Sequence, residues 1–428
     1  MRIYFDTVGC RLNQSEIELL ARQFRAAGHL IADSAAEADL VVINTCTVTS
    51  AAASDSRQKI RQAARAGGAS IAVTGCWATL EPEAARRLPN VDWVIPNSEK
   101  HHLTSTVLGM PVEEFDLEPL ARQPLPGLHQ RTRAFIKVQD GCDNFCTFCI
   151  TRLARGKGRS QSINEVVGEV RAAVSGGARE VVLSGVHLGS WGKDFPMPLH
   201  LRHLIEAILM DTDVERVRLS SLEPWDLDEA FFRLWQNPRM CRHLHLPLQS
   251  GSAATLKRMV RKTTPTAFAC LLESARAICP EMAITTDIIV GFPGESESEF
   301  EESLAFVQQM NFAGGHVFSF SKREGTAAAR MKGTLHGSVI RERNARMREV
   351  LRQSSLTYRQ KFLGSLAGVL WESCDEVGRQ GWRLHGLTDH YIRVEACSPQ
   401  PLWNQISRVR LVQVTDEGMH GEILDVGE

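Results

Sequence analysis

The chain has 428 residues, with 49 Lys and Arg against 50 Asp and Glu and a formal net charge of −1. That length accommodates about three domains of ordinary size, and so even a balance says nothing about partners. No run approaches the apolar length of a membrane-spanning helix, and the start, Met1-Arg2-Ile3-Tyr4-Phe5-Asp6-Thr7, has no apolar signal core. The 11 cysteines, an odd number, are therefore read as thiols and metal ligands in a reducing, cytoplasmic setting rather than as disulfides.

In chain order, Arg2–Val8 reads as a strand and Ser15–Ala27 as an amphipathic helix ended by Gly28. Asp39–Asn44 reads as a buried strand, Ser56–Ala66 as a helix stopped by Gly67 and Gly68, and Ser70–Thr74 as another strand. This alternation predicts βαβ units on a parallel sheet. One cysteine follows each strand: Cys10, Cys46 and Cys76, separated by 36 and 30 residues, about one βαβ repeat each. Open α/β sheets bind ligands beyond the carboxyl ends of their strands, so the three thiols are expected to converge on one edge. Three small buried residues are the plainer alternative; a cluster with one open iron is the reading that their shared position favours.

Arg122–Gln130, with Pro124, Pro126 and Gly127, reads as a linker. Beyond it six strand-like runs recur with helices between them: Phe135–Gln139, Glu180–Ser184, Arg216–Ser220, His243–Leu248, Ala283–Val290 and Gly315–Ser319. They predict a partial parallel (β/α)6 barrel, whose function lies on the loops after the strands. The first strand leads into Gly141-Cys142-Asp143-Asn144-Phe145-Cys146-Thr147-Phe148-Cys149. Three thiolates at this spacing fit a cuboidal iron–sulfur cluster with one iron open to an exogenous molecule. A structural zinc site normally closes with a fourth Cys or His at short spacing, whereas the next histidine is His187.

The other strand ends carry Gly185, Ser221-Leu222-Glu223-Pro224, Gln249-Ser250-Gly251 and Gly291-Phe292-Pro293-Gly294-Glu295. The glycines permit close backbone approach to a ligand, and Glu223 and Gln249 suit a ribose or an ammonium group. Arg155 is a candidate for a carboxylate or a phosphate, with a solvated surface arginine as its alternative. Trp191 and Trp225 either stack a base or pack a loop. Cys241, Cys270, Cys279, Cys374 and Cys397 show no ligand spacing and are read as structural.

From about Phe362 the repeat stops. Val369–Ser373, Trp382–Leu387, Tyr391–Glu395, Ile406–Thr415 and Gly421–Leu424 read as the short strands of a small β-barrel. Residues 361–428 hold 6 Lys and Arg against 10 Asp and Glu, an acidic balance for a domain that touches phosphates. Positive charge lies instead in 322–361, with 11 basic residues against 3 Glu, and in 122–162, with 8 against 2 Asp. The Arg341–Arg359 part is expected to be helical, and a charge run on a helix is often only a solvated face. Two such segments flanking one barrel mouth favour a polyanion.

The Cys142–Cys149 run resembles the radical S-adenosylmethionine signature. Thr7-Val8-Gly9-Cys10-Arg11-Leu12-Asn13-Gln14-Ser15-Glu16, Asn44-Thr45-Cys46-Thr47-Val48-Thr49 and Thr74-Gly75-Cys76 resemble the three cluster motifs of the methylthiotransferase family. The likeness extends over almost the whole chain. It implies two 4Fe–4S clusters, one on Cys10, Cys46 and Cys76 and one on Cys142, Cys146 and Cys149. It implies S-adenosylmethionine as radical source and methyl donor, in a pocket around Gly185, Ser221, Glu223, Gln249 and Gly291, with Phe148 against the adenine and Arg155 near the methionine carboxylate. The central cluster would generate a 5′-deoxyadenosyl radical that takes a hydrogen from carbon, and the N-terminal cluster would present the methylated sulfur. The C-terminal barrel would be an RNA-binding TRAM domain.

Asn13-Gln14, Thr47-Val48-Thr49, Ala154-Arg155-Gly156 and Arg323–Met331 resemble the MtaB-type branch, which acts at C2 of N6-threonylcarbamoyladenosine, position 37, beside the tRNA anticodon. That branch usually has Lys-Val where Arg11-Leu12 stands, Tyr-Ala-Gln at Trp77-Ala78-Thr79, and Tyr at Phe148. Other branches act on isopentenyladenosine in tRNA or on an aspartate of a ribosomal protein, and a non-catalytic iron–sulfur RNA-binding or sensor protein lies outside the family altogether. The partners implied are the tRNA anticodon loop and an electron-donor protein, with no DNA and no membrane. The expected architecture is an N-terminal open parallel α/β domain (1–121), a central partial radical-SAM barrel (122–360) and a small TRAM-like β-barrel (361–428).

Overall fold

A computed structural model describes residues 1–110, 132–377 and 381–424. The linker expected at Arg122–Gln130 lies outside the described residues. The N-terminal domain is a parallel sheet of five strands rather than three, in the order Leu30–Ile31, Arg2–Thr7, Leu40–Thr45, Ser70–Gly75, Val91–Ile95. The two extra strands escape a sequence reading because one has only 2 residues and the other is interrupted by Asp92. The order reverses between Arg2–Thr7 and Leu40–Thr45, the switch point at which open sheets leave a crevice.

The first helix, Arg11–Ala26, begins four residues earlier than the expected Ser15. Its first turns bury Asn13, Gln14, Ser15 and Glu16, polar residues that imitate a loop when no apolar stripe marks them. The rest of its inner face, Ile17, Leu20 and Phe24, packs on the sheet. The second helix, Ser50–Ala66, starts before the expected Ser56, where the Thr49 hydroxyl accepts from Ala52 N at 3.1 Å and caps it.

The six central strands, Arg133–Lys137, Glu180–Ser184, Arg216–Leu219, His243–His245, Ala283–Val290 and Gly314–Ser319, run parallel and neighbour one another in chain order. Single bridges, Val217 with Met240 and Ser221 with His245, join the two halves. The fourth strand is shorter than the expected His243–Leu248, because Pro247 has no N–H for the ladder. Among the described residues the first and last strands do not pair, so the barrel is open. The helix Arg11–Ala26 packs against Arg133–Lys137.

A helix, Gly337–Gln360, leads to a closed five-stranded barrel of Leu366–Glu376, Trp382–Thr388, Arg393–Ser398, Ile406–Val414 and Met419–Ile423. Leu366–Leu370 pairs with Ile406–Arg410 and closes it. Tyr391, expected to begin a strand, stands in the turn before Arg393, at φ +65°. This barrel docks at the amino ends of the central strands. There Arg218, in a fully buried ion pair with Glu180 (2.6 Å), donates to Thr388 O and Asp389 O, both at 3.1 Å. Arg216 donates to Gly368 O at 2.9 Å, and Arg242 pairs with Asp389 at 2.7 Å.

Candidate functional site

Cys10, Cys46 and Cys76 line a single cavity of about 940 Å³, together with Arg155, Gly185, Ser221, Glu223 and Gln249. Glycines make the thiol convergence possible. Gly9 sits at φ +104°, and a Cβ on it would lie 2.5 Å from both Cβ and Sγ of Cys46. Gly75, at φ +99°, would meet Thr45 O at 2.3 Å if it carried a side chain. These two loops can therefore bring Cys10 and Cys76 to the strand edge only with glycine before each. Asn13 accepts from Cys10 Sγ at 3.8 Å, and Asn97 donates to Cys76 Sγ at 3.6 Å. Burial pushes the Cys46 thiol up to about 11, so iron would have to displace its proton on binding.

Arg155 is not a surface arginine. Its side chain is 2% exposed and donates to Glu16 at 2.8 and 3.2 Å, to Asp140 at 3.0 Å and to Asn13 at 2.7 Å. Glu16 also accepts from Lys100 at 2.6 Å and from Asn44 at 3.1 Å. Burial pushes the Glu16 carboxyl up, but Arg155, Lys100 and Lys137 hold it well below the usual carboxylate range. This buried network joins the N-terminal helix to the central barrel beneath the first three thiols. With its donors engaged, the Arg155 guanidinium holds the two domains together and has little left to recruit a carboxylate.

The second thiol loop is pinned at several points. Gly141, at φ +69°, lies so close to the next segment that a Cβ would fall 1.8 Å from Lys157 O. Cys142 N donates to Gly156 O at 3.1 Å, Thr147 N to Met259 O at 3.1 Å, and Ala328 N to Thr147 O at 2.8 Å. Arg261 reaches Cys146 Sγ at 3.8 Å while donating to the two Glu223 oxygens at 3.1 and 2.6 Å. Glu223 is thus already paired. Phe148 packs in a small cluster with Met259, Phe292 and Ala328.

Phe148, Gly291 and the central thiols Cys142, Cys146 and Cys149 are not among the residues that line the large cavity. Gly291, at φ +75°, would place a Cβ 2.7 Å from Ile340, so its glycine serves packing of the 337–360 helix. Trp191 is fully buried and donates to Gln161 O at 2.9 Å, which makes it a packing residue. Trp225 lies under the Arg261 guanidinium, 4.6 Å from ring centroid to Cζ.

Beside the central loop the structure adds Asp226, Lys193 and Arg261, which the sequence did not single out, to His187. His187 Nε2 is 2.5 Å from Asp226 Oδ2, and Asp226 Oδ1 accepts from Lys193 at 2.5 Å. Burial alone would lower the His187 pKa, but hydrogen bonds to Asp226 and Cys142 outweigh it and raise it to about 9. Arg261 and Asp226 are distant in the chain from any cysteine, so only folding could reveal them; His187, two residues past Gly185, was legible as a strand-end residue.

The thiol sets test well against iron–sulfur clusters. No disulfide joins any of the six, each set sits on strand-end loops, and soft thiolates are the donors such clusters take. Among the described residues no three His, Cys, Asp or Glu side chains are gathered closely enough for a single ion; a cuboidal cluster takes its thiolates on separate corners.

Comparison with known proteins agrees with this geometry. The family model described as "Uncharacterized protein family UPF0004" matches residues 2–96, and that of the Radical SAM superfamily matches 136–307. A protein of Bacillus subtilis (strain 168) named threonylcarbamoyladenosine tRNA methylthiotransferase MtaB is 34% identical over 100% of this chain and 97% of its own. Its namesake in Thermotoga maritima is 35% identical over 97% of this chain and 96% of its own. This chain belongs to the MtaB-type tRNA methylthiotransferases. A relative from Maricaulis maris, named tRNA-2-methylthio-N(6)-dimethylallyladenosine synthase, is 30% identical over 99% of this chain and 97% of its own. The fold of this methylthiotransferase is also similar to that of the radical S-adenosylmethionine methyltransferase TsrM from Kitasatospora setae. The TM-score is 0.56 at 14% identity, over 77% of each chain. Among the described residues of the methylthiotransferase, no helix is long and apolar enough to cross a membrane.

Proposed function

We infer that this enzyme methylthiolates C2 of N6-threonylcarbamoyladenosine at position 37 of tRNA, beside the anticodon. The observation that carries this reading is the single cavity shared by three N-terminal thiols and the strand ends of the central barrel. In the proposal Cys10, Cys46 and Cys76 hold one 4Fe–4S cluster, and Cys142, Cys146 and Cys149 hold the other. Ser221, Gln249 and Gly185 are the groups offered to S-adenosylmethionine, Glu223 stands beside them held by Arg261, and Phe148 and Gly291 support the loops behind them. When bound, the clusters and S-adenosylmethionine supply hydrogen abstraction and the methylthio group. The chain's own contribution is placement. Arg155 and Glu16 lock the two thiol sets into one frame, and Arg261 fixes Glu223 and the Cys146 loop.

The cavity's chemistry favours a polar substituent over an isopentenyl group. His243, His245, Thr285 and Asp287 line it, with Thr285 Oγ1 at 2.9 Å from His243 and 3.0 Å from His245. Asp287 Oδ1 and His243 Nδ1 have no hydrogen-bond partner among the described residues, and an apolar prenyl chain would offer them none. The base must leave the anticodon-loop stack to enter, at a cost of a few kcal/mol. Lys322, Arg330, Lys332, Arg341 and Arg348 are exposed and have no carboxylate partner among the described residues, which suits the flanking phosphates. Phe145, 67% exposed between two of the central thiols, leaves this side open to an electron-donor protein.

The test is anaerobic reconstitution with reductant, sulfide, S-adenosylmethionine and tRNA bearing threonylcarbamoyladenosine, with isopentenyladenosine tRNA in parallel. Nucleoside mass spectrometry should show a methylthio gain on the first alone. A gain only on the second would overturn the substrate. The Cys46→Ala protein should cleave S-adenosylmethionine yet transfer no methylthio group, and loss of all cleavage with the central cluster intact would refute the division of labour.

A further inference from the structure

The C-terminal barrel lines the central cavity with His390, Tyr391, Ile392, Arg393 and Glu417, and Tyr391 among them is held in an unusual conformation. Tyr391 stands at φ +65°, a conformation that costs a non-glycine residue about 1 kcal/mol or more and persists where surrounding contacts enforce it. Those contacts are present. Its ring stacks on His243 at 4.2 Å and 9°, and the Arg218 guanidinium lies 5.3 Å from its centroid. Tyr391 N donates to Thr388 O at 3.1 Å, which closes the turn. The hydroxyl accepts from Arg11 Nη2 at 2.5 Å. Arg11 and Tyr391 come from opposite ends of the chain, and both line the cavity.

Arg11 differs from the other cations of the cavity in being held by a hydroxyl beside the N-terminal thiols. Arg155 is saturated by Glu16, Asp140 and Asn13, and Arg359 donates to Asp416 O at 3.2 Å. Arg393 lies on the C-terminal barrel, at the first residue of its third strand. Arg11 has a neutral hydroxyl as its partner, and among the described residues no carboxylate faces it. Of the acids that line the cavity, Glu223 is paired with Arg261 and Asp287 with His245 at 3.3 Å, while Glu417 is exposed on the C-terminal barrel.

We propose that Arg11, clamped by Tyr391, receives the carboxylate of the threonylcarbamoyl group and so sets the preference for this modified base. The proposal rests on the reading of the substrate given above. Threonine joined through its amino nitrogen keeps a free carboxylate. In adenine C2 and C6 flank the same ring nitrogen, so a substituent on N6 extends along the edge that carries C2. The group that reads it must therefore stand close to the sulfur-bearing site, and Arg11 follows Cys10 directly in the chain. A guanidinium already fixed on one side by a phenol offers its remaining donors to a planar carboxylate at little entropic cost.

The experiment measures equilibrium binding of the oxidised holoprotein to anticodon stem-loops carrying threonylcarbamoyladenosine, its methyl ester or plain adenosine. S-adenosylmethionine affinity and iron content are followed in each protein. The wild type should prefer the free acid over the ester by about thirtyfold, the size of one charge-assisted hydrogen-bonded pair. Arg11→Gln should bind acid and ester alike, Arg11→Lys should restore part of the preference, and Tyr391→Phe should fall between. Equal wild-type binding of acid and ester would overturn the proposal without any variant. So would an Arg11→Gln protein that keeps the preference, or one whose loss is confined to S-adenosylmethionine, whose own carboxylate is the competing ligand. If the wild type fails to methylthiolate the free-acid stem-loop at all, the substrate reading itself is overturned, and the proposal with it.

Discussion

Glu16→Gln removes the charge at the centre of the buried network while keeping the side chain's shape. Glu16 has a side chain 3% exposed and accepts from Arg155, Lys100 and Asn44 within 3.2 Å. Breaking a buried pair by removing one partner costs about 3–5 kcal/mol, because the other charge is left uncompensated. Two features place this case at the lower end. Asp140 still accepts from Arg155 at 3.0 Å, and burial, which already lowers the Lys100 pKa, favours its neutral form once Glu16 no longer opposes it. A loss of about 3 kcal/mol corresponds to roughly a hundredfold in an opening equilibrium. Because Glu16 lies on the helix Arg11–Ala26 and Arg155 and Asp140 lie on the central domain, the loss should appear as local opening of that helix. Native-state hydrogen exchange of the holoprotein reads it directly. Amides from Ile17 to Phe24 should exchange about a hundredfold faster, while the strand Ala283–Val290 is unchanged. Acceleration below about threefold would refute the view that Glu16 ties the domains together, and the double variant Glu16→Gln/Arg155→Met should recover part of the loss.

Gly9→Ala should halve the bound iron and leave S-adenosylmethionine cleavage in place, because its Cβ would fall 2.5 Å from Cys46 Sγ at φ +104°; full iron would contradict this. Replacing Lys322, Lys332 and Arg341 by Ser should weaken tRNA binding uniformly across sequences. The slope of log affinity against log salt should fall by about 0.7–0.9 for each phosphate that is no longer neutralised, and an unchanged slope would place the RNA elsewhere. Burial pushes the Asp389 carboxyl up, but His390 and Arg242 hold it well below the usual carboxylate range. Its contribution to docking the C-terminal barrel is therefore complete above the ordinary Asp pKa of about 4 and is lost as the pH falls toward the folded value. The exchange difference between wild type and Asp389→Asn, read at Trp382–Thr388, should shrink as the pH drops from 5 to 3; a constant difference would show that the carboxylate's charge is not what docks the barrel.

The chemistry-bearing residues of this protein were legible from the sequence because their signals are local. Cys142, Cys146 and Cys149 share one loop, and Cys10, Cys46 and Cys76 each end a strand that its own apolar run announces. The alternation of strand and helix likewise conveys a parallel sheet and a six-unit partial barrel, since hydrophobic periodicity is a property of neighbouring residues. What the tertiary structure decided is long-range. No spacing rule relates Arg11 to Tyr391, 380 residues apart, or Arg155 to Glu16, 139 apart. The polar first turns of Arg11–Ala26 look solvated until the central domain covers them. The closely approached glycines at 9, 141 and 291 show their purpose only against Cys46, Lys157 and Ile340. Arg155 illustrates the division most directly: its charge and its place just after the radical motif are sequence facts. Its burial among two carboxylates and an asparagine, which turns a candidate ligand hand into an interdomain tie, exists only once two domains have closed on it.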